Sequence, residues 1–254
     1  MEHIASLPEV TEMDYIMGHG VFCDTCTTLT TRGETFLWNL ERVTKQSRAF
    51  DGQYMTLLSD SGDTNVDLYV IDTGIDITHT NFDGRASFGD NFTGKMAVLN
   101  GDGTSVAGYA MSRKFGVEKQ GNAISVKALA GEQGIGNSRI TMDAFQYVVD
   151  QVNWRGNNRR TVVNMSLGGG RSTVFNYFVN AIVSHLNTVV VVAAGNENRD
   201  ACNVSPASAE LAITVGAFTI TDSRASFSNF GSCVDIFAPG QSIRSVTLNN
   251  RDQL

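Results

Sequence analysis

From residue 67 onward the chain alternates two textures. Short apolar runs, each closed by a small or acidic residue, are separated by longer stretches with apolar residues at helical spacing. The first run, Leu68 to Ile71, is short and rich in β-branched residues and ends in Asp72-Thr-Gly. This predicts a strand buried on both faces, as in a parallel sheet. Ala123–Leu129, Thr161–Ser166, Thr188–Ala194, Leu211–Gly216 and Val234–Phe237 read the same way. Between them, Ser138–Trp154 carries Ile140, Ala144, Phe145, Val148, Val149 and Val152 on one helical face. Thr173–Leu186 does so through Val174, Phe178, Ala181 and Ile182. Strand and helix in alternation predict an α/β fold, a doubly wound and mostly parallel sheet with helices on both faces.

The first quarter is less regular. Residues 1–16 suggest a helix end, a Leu-Pro turn and an alternating strand. Residues 17–66 read as an extended segment over the surface, with a short helix near Phe36–Val43 anchored through Trp38 and Leu40.

Composition narrows the function classes. Of 254 residues, 42% are hydrophobic, enough for a folded core. A net charge of -7 argues against nucleic acid as a partner, because phosphate binding needs a basic face. No apolar run approaches the roughly 20 residues that span a bilayer. Glycine is abundant, at 25 residues, which fits tight turns after strands. Cys23, Cys26, Cys202 and Cys233 allow any of three pairings. The lone Cys23-Asp-Thr-Cys26 has no second pair to complete a zinc site.

Asp72 falls at the carboxyl end of a strand, the sheet edge where chemistry gathers in open α/β folds. Alone it would pass for a turn-forming residue before glycine. It has company, however: Gly101-Asp-Gly-Thr-Ser-Val-Ala-Gly108, Ser166-Leu-Gly-Gly-Gly170 and Ala193-Ala-Gly-Asn-Glu-Asn198 fall at strand ends too. With Ser205-Pro-Ala-Ser208 and Phe237-Ala-Pro-Gly240, and in this order, the set resembles the subtilisin-like serine proteases, nearest the proteinase K and cerevisin-type branch.

The resemblance implies roles. Asp72 matches the triad aspartate, which holds a histidine in the correct tautomer. Asn196 matches the asparagine that donates to the oxyanion; in subtilisin, loss of that donor is known to cost about 100- to 1000-fold in rate. Leu129 to Gly136, with Leu129 and Gly134, and Ser166 to Gly170, with Ser166, Leu167, Gly168 and Gly169, match two edge strands. In the family these bind an extended polypeptide by strand addition. The glycines would leave room for a ligand side chain.

Two departures change the expected activity. The family's second motif reads Gly-His-Gly-Thr-His; here the frame is Gly101-Asp102-Gly-Thr-Ser105, so Asp102 stands where the general base belongs. A carboxylate near its reference pKa of about 3.9 is a weak base at neutral pH and cannot return a proton to a leaving amine. Facing Asp72, it would also suffer like-charge repulsion. His79 fits a surface turn and His185 an amphipathic helix, so neither offers a substitute. The family nucleophile, in a Gly-Thr-Ser shortly after Phe-Ala-Pro-Gly, does not occur between Gly240 and Leu254. Residues 67–254 are therefore expected to form an incomplete subtilisin-like domain, lacking the C-terminal part and inactive as a peptidase. Loss of the base alone is known to cost subtilisin roughly a millionfold in rate, or about 8 kcal/mol.

The remaining expectations also come from the resemblance. Residues 1–16 resemble the end of an inhibitor propeptide, which would make the chain's own propeptide a partner and place its origin in a secreted or vacuolar compartment. Cerevisin-like relatives look paired at places matching Cys202 and Cys233; closing that loop would stabilise by roughly 3–4 kcal/mol. Asp235 matches a calcium-binding carboxylate, with backbone carbonyls near Glu210 and Ala212 as co-ligands, a hard oxygen set suited to a structural Ca²⁺. No other cofactor is required.

Overall fold

The computed structural model describes residues 26–30, 37–45, 49–57, 66–156, 159–186 and 188–253. Residues 1–16 and Cys23, on which part of the N-terminal reading rests, lie outside them. In chain order the elements are β1 (Cys26–Thr30), α1 (Trp38–Thr44), β2 (Gln53–Leu57), β3 (Val66–Asp72), β4 (Ala86–Asn91), α2 (Asp102–Met111) and β5 (Asn122–Lys127). Then follow α3 (Ser138–Arg155), β6 (Arg160–Met165), β7 (Gly169–Gly170), α4 (Thr173–Leu186), β8 (Val189–Ala193) and β9 (Val204–Ser205). The last are β10 (Ile213–Phe218), β11 (Ile236–Pro239), β12 (Ser245–Thr247) and β13 (Arg251–Gln253).

Seven strands form one sheet in the order β11-β10-β8-β6-β3-β5-β4. Every pairing within it is parallel, so all the carboxyl ends lie along one edge. The reason β3 reads as an unbroken apolar run is visible in its contacts. Tyr69 and Ile71 join a core with Phe145 and Val148 of α3 and Val179 of α4. Leu68 and Val70 point the other way, into a core with Ala107 and Met111 of α2. Both faces are covered, and alternation of side chains along the strand serves two cores at once.

Local chemistry sets the helix ends. Asn137 caps α3, its side chain accepting the Ile140 N–H at 3.0 Å. Gly156 ends the helix with φ +66°, a conformation costly for other residues. The expected strands near 211 and 234 start two residues later than their sequences suggest, at Ile213 and Ile236. Two of the elements with too weak an apolar signal to be read lie beside β5 and β3. The edge strand β4 exposes Ser87 and Phe88 and shifts register around Gly89, where a Cβ would press on Ile124 and the Ser125 carbonyl at 2.9 Å. Residues 102–111, placed at a strand end by the sequence, form helix α2 instead.

Before residue 66, β1 and β2 pair antiparallel. Trp38 and Leu40 of α1 are buried, and Trp38 packs edge-on to Phe218 of β10 at 6.0 Å. Among the described residues, no helix is long and apolar enough to cross a membrane.

Candidate functional site

Asp72 is the last residue of β3 and pairs in register with Lys127 at the end of β5. It is 1% exposed. One carboxylate oxygen accepts the Thr73 N–H at 2.6 Å. Burial pushes its pKa up to about 6, the Thr73 hydrogen bonds pull against this, and the Asp102 charge adds to the rise. Lys127 is buried beside it, but its Nζ is aimed at carbonyls, Thr73 O at 2.5 Å and Leu129 O at 2.9 Å. Burial lowers the Lys127 pKa, and the Asp72 charge opposes the shift.

Helix α2 begins against this strand end. Thr73 Oγ1 accepts the Gly103 N–H at 3.0 Å, and Thr104 Oγ1 accepts the Asp76 N–H at 2.9 Å. Gly103 is what allows the approach. A Cβ there would sit 2.5 Å from the Gly74 carbonyl and 3.2 Å from the Asp72 Cβ, and backbone cannot step aside. Asp102 is thereby set at the mouth of the site, exposed, as the first residue of α2. An acid in that position is favoured by the helix dipole, so it is structurally at home there. Its backbone N–H donates to Asn100 Oδ1 at 2.7 Å, and Asn100 reaches across to the Glu132 carbonyl at 2.8 Å.

Ser105 faces inward, away from this mouth. Its hydroxyl donates to Val246 O at 2.9 Å and its carbonyl accepts from Ser245 Oγ at 2.8 Å, tying α2 to β12. His79 is 2% exposed, not at a surface turn as its sequence suggested. Its Nδ1 accepts the Asn81 N–H at 3.1 Å and Nε2 lies 3.3 Å from Arg251 O, an arrangement that puts the ring proton on Nε2. Its ring packs on Phe82. His185 is exposed on α4. Neither described histidine is bonded to Asp72.

The parallel sheet collects the other candidates along the edge that holds Asp72. Leu129 follows β5, Ser166 and Leu167 follow β6, and Asn196 follows β8. The Leu129 N–H donates to Asp72 O at 3.1 Å. Beyond it the chain turns back on itself, with Ala130 and Ile135 bridged and Gly131 and Gly134 at φ +74° and +61°. A Cβ on Gly134 would stand 3.1 Å from Thr73 and 3.9 Å from Asp102 Oδ2, which places this turn over the same mouth. Ser166 and Gly168 are exposed. Gly169 and Gly170 pair with Ser205 and Val204, so that part of the expected edge is already occupied. Space for a side chain is open at Gly169 and Gly170, while at Gly168 it is limited by Val204 at 3.3 Å.

Asp235 lies at the opposite edge, just before β11, with Oδ2 accepting the Thr214 N–H at 2.7 Å. Cys202 and Cys233 are joined in a disulfide, Cα to Cα 5.3 Å. Two positions near the site had gone unnoticed in sequence. Lys127 had a legible signal, a cation inside an apolar strand. Asn229, which bonds the loop of Asn196, had none, because Phe-Ser-Asn-Phe-Gly reads as an ordinary turn.

Known proteins resemble this chain. The profile described as "Subtilase family" matches residues 63–253. The "Subtilisin-like serine protease Rho m 2.0101" of Rhodotorula mucilaginosa is 44% identical over 220 residues, 84% of this chain and 64% of that protein. Cerevisin of Saccharomyces cerevisiae is 40% identical over 223 residues, 85% of this chain and 35% of that protein. The chain thus spans only part of these curated relatives. A crystal structure of a cold adapted subtilisin-like serine proteinase superposes with a TM-score of 0.77 at 37% identity, covering 85% of this chain and 77% of that one. Family profile, relatives and fold agree, and the chain belongs to the subtilase family of subtilisin-like serine proteases.

Proposed function

We propose that this chain keeps the peptide-binding side of a subtilisin-like serine protease and lacks its proton transfer, so that it holds extended polypeptide without cutting it. The observation that carries this reading is Asp102, a carboxylate at the head of α2 where the family places its base, set against the Asp72 strand end. A carboxylate in the base position is too weakly basic to take a proton from a serine hydroxyl and hand it to a leaving amine near neutral pH. In this reading Asn196 and the stretch Ser166–Gly168 contact the bound backbone, and Leu129 and Gly134 form the facing wall. The chain's own propeptide is a proposed partner on the same surface. The Cys202–Cys233 disulfide supports a secreted or vacuolar setting, where such bonds persist.

The test pairs two measurements on this chain. An extended fluorogenic peptide is expected to bind saturably and to show no hydrolysis above background. Hydrolysis that disappears in Asp72→Ala would overturn the reading, and absence of any binding would overturn its other half.

Calcium at Asp235 belongs to the same proposal. The fit is partial: one Asp235 oxygen already accepts from Thr214, and a carboxylate with two backbone carbonyls supplies only part of the roughly 6–8 oxygens calcium takes. Water would complete the shell, which describes a weak site. Millimolar calcium is expected to stabilise the fold by about 1 kcal/mol, as mass action on a weak site allows. A melting curve with calcium against chelator, repeated on Asp235→Asn, checks this; an equal response from both chains counts against the site.

A further inference from the structure

We propose that Asn229 is the positioning residue of the loop that presents Asn196. This deepens the peptide-binding reading and rests on it for the ligand. Asn229 is fully buried, at 0% exposure, and lies far along the chain from the loop it serves. Its amide is used completely. Nδ2 donates to Ala194 O at 2.8 Å and to Glu197 Oε2 at 2.7 Å. Oδ1 accepts the N–H groups of Glu197 at 3.1 Å and Arg199 at 3.0 Å. Two donors and two acceptors meet partners of the right kind, which also fixes which way the amide faces. The backbone N–H of Asn229 adds a bond to Gly195 O at 3.0 Å.

Around Asn196 every loop neighbour is thus tied down. Asn198 is held too, its N–H by Phe227 O at 2.9 Å and its side chain by Arg224 at 2.9 Å. Gly195, at φ +107°, has no room for a side chain, since a Cβ would meet Asn229 Nδ2 at 2.3 Å. Asn196 alone stays outside the net, exposed and without a hydrogen-bond partner among the described residues. A rigid frame around one exposed amide is the geometry of a preorganised donor, which spends little on ordering when a peptide carbonyl arrives. Asn229 touches no ligand; it acts through Asn196.

Four chains test this: the wild type, Asn196→Ala, Asn229→Ala and the double variant. Each is titrated with an extended peptide while amide exchange is followed over residues 194–199. Asn229→Ala is expected to weaken peptide binding about tenfold, and less than about twofold when Asn196 is already Ala, because coupled residues are not additive. Exchange at Glu197 and Arg199 is expected to quicken about a hundredfold as the local frame opens. Additive losses in affinity, or unchanged exchange, would overturn the positioning role. If the wild type binds no peptide, the functional reading fails, and positioning is judged on exchange and on the Asn196 side-chain amide signal.

Asn229→Asp guards against an alanine variant that does not fold. It keeps the shape and both acceptors but loses the donors and faces the Glu197 carboxylate. Arg199, whose Nε lies 3.8 Å from Glu197, and Arg224, bound to Ser228 O, are the cations nearby, and Asp200 flanks Gly231. Relative to wild type, its peptide affinity is expected to be low at neutral pH and to recover toward acid, as protonation returns one donor. A flat ratio across pH would overturn the proposal.

Discussion

Replacing Asp72 with Asn is expected to make the fold more stable at neutral pH, by about 2–3 kcal/mol. The cause is burial. The folded chain holds the Asp72 proton up to about pH 6, whereas the ordinary value is 3.8. Between those values the native state binds more protons than the unfolded one, so stability falls as pH rises through the window. The contribution is fully present below about pH 4 and lost above about pH 6. Asn is nearly the same shape, still offers an oxygen to the Thr73 N–H, though a weaker acceptor than a carboxylate, and never ionises. Melting curves of the two chains should therefore coincide near pH 4 and separate by about 4–10 °C at pH 7.5. A difference that ignores pH, or a variant weaker at neutral pH, would contradict the burial of a charged Asp72. The outcome also bears on the proposed function, because a fold that keeps a costly buried acid at this strand end is giving up stability there.

At the other end of the same strand, Asp67→Ala is expected to cost about 2–4 kcal/mol. Asp67 is 2% exposed and accepts from Arg155 Nη1 at 2.8 Å, Arg159 Nε at 2.9 Å and Asn122 Nδ2 at 3.1 Å. It joins the end of α3 and the start of β6 to β3. Alanine would leave two guanidinium groups facing a dry pocket with no anion between them. Because both arginines are partly exposed, each can swing to water, which keeps the loss below that of a wholly buried triad. Asp67→Asn, which keeps an acceptor, should lose about half as much. Peptide binding by the folded fraction should not change, since five strand steps, about 16 Å, separate Asp67 from Asp72. Urea titration with a parallel binding measurement checks both halves, and a loss below about 1 kcal/mol would mean that solvent already supports the arginines.

The contrast between these two acids shows what a sequence conveys. Both flank the apolar run of β3, and in sequence each is simply an acid beside hydrophobic residues. Asp72 could be placed at the carboxyl edge of the sheet because it closes the run before Thr-Gly. Nothing near Asp67 in sequence names its partners, which arrive from Arg155 and Arg159 after a full crossover. The same limit hid β4, whose residues carry too little apolar content to signal an edge strand, and α2, whose glycines and small residues mask a helix that packs by close approach. It also sent His79 to the surface, since a polar side chain gives no hint that Arg251 will cover it.

Sequence alone determined the alternating α/β order and the family resemblance, because each is written in residue type and local spacing. Tertiary structure decided the rest. It fixed which faces of β3 meet which helices, how Gly103 lets α2 abut Asp72, and how Asn229 frames Asn196. These depend on burial and on hydrogen bonds between residues distant in the chain, and no local pattern of polar and apolar positions encodes such distances.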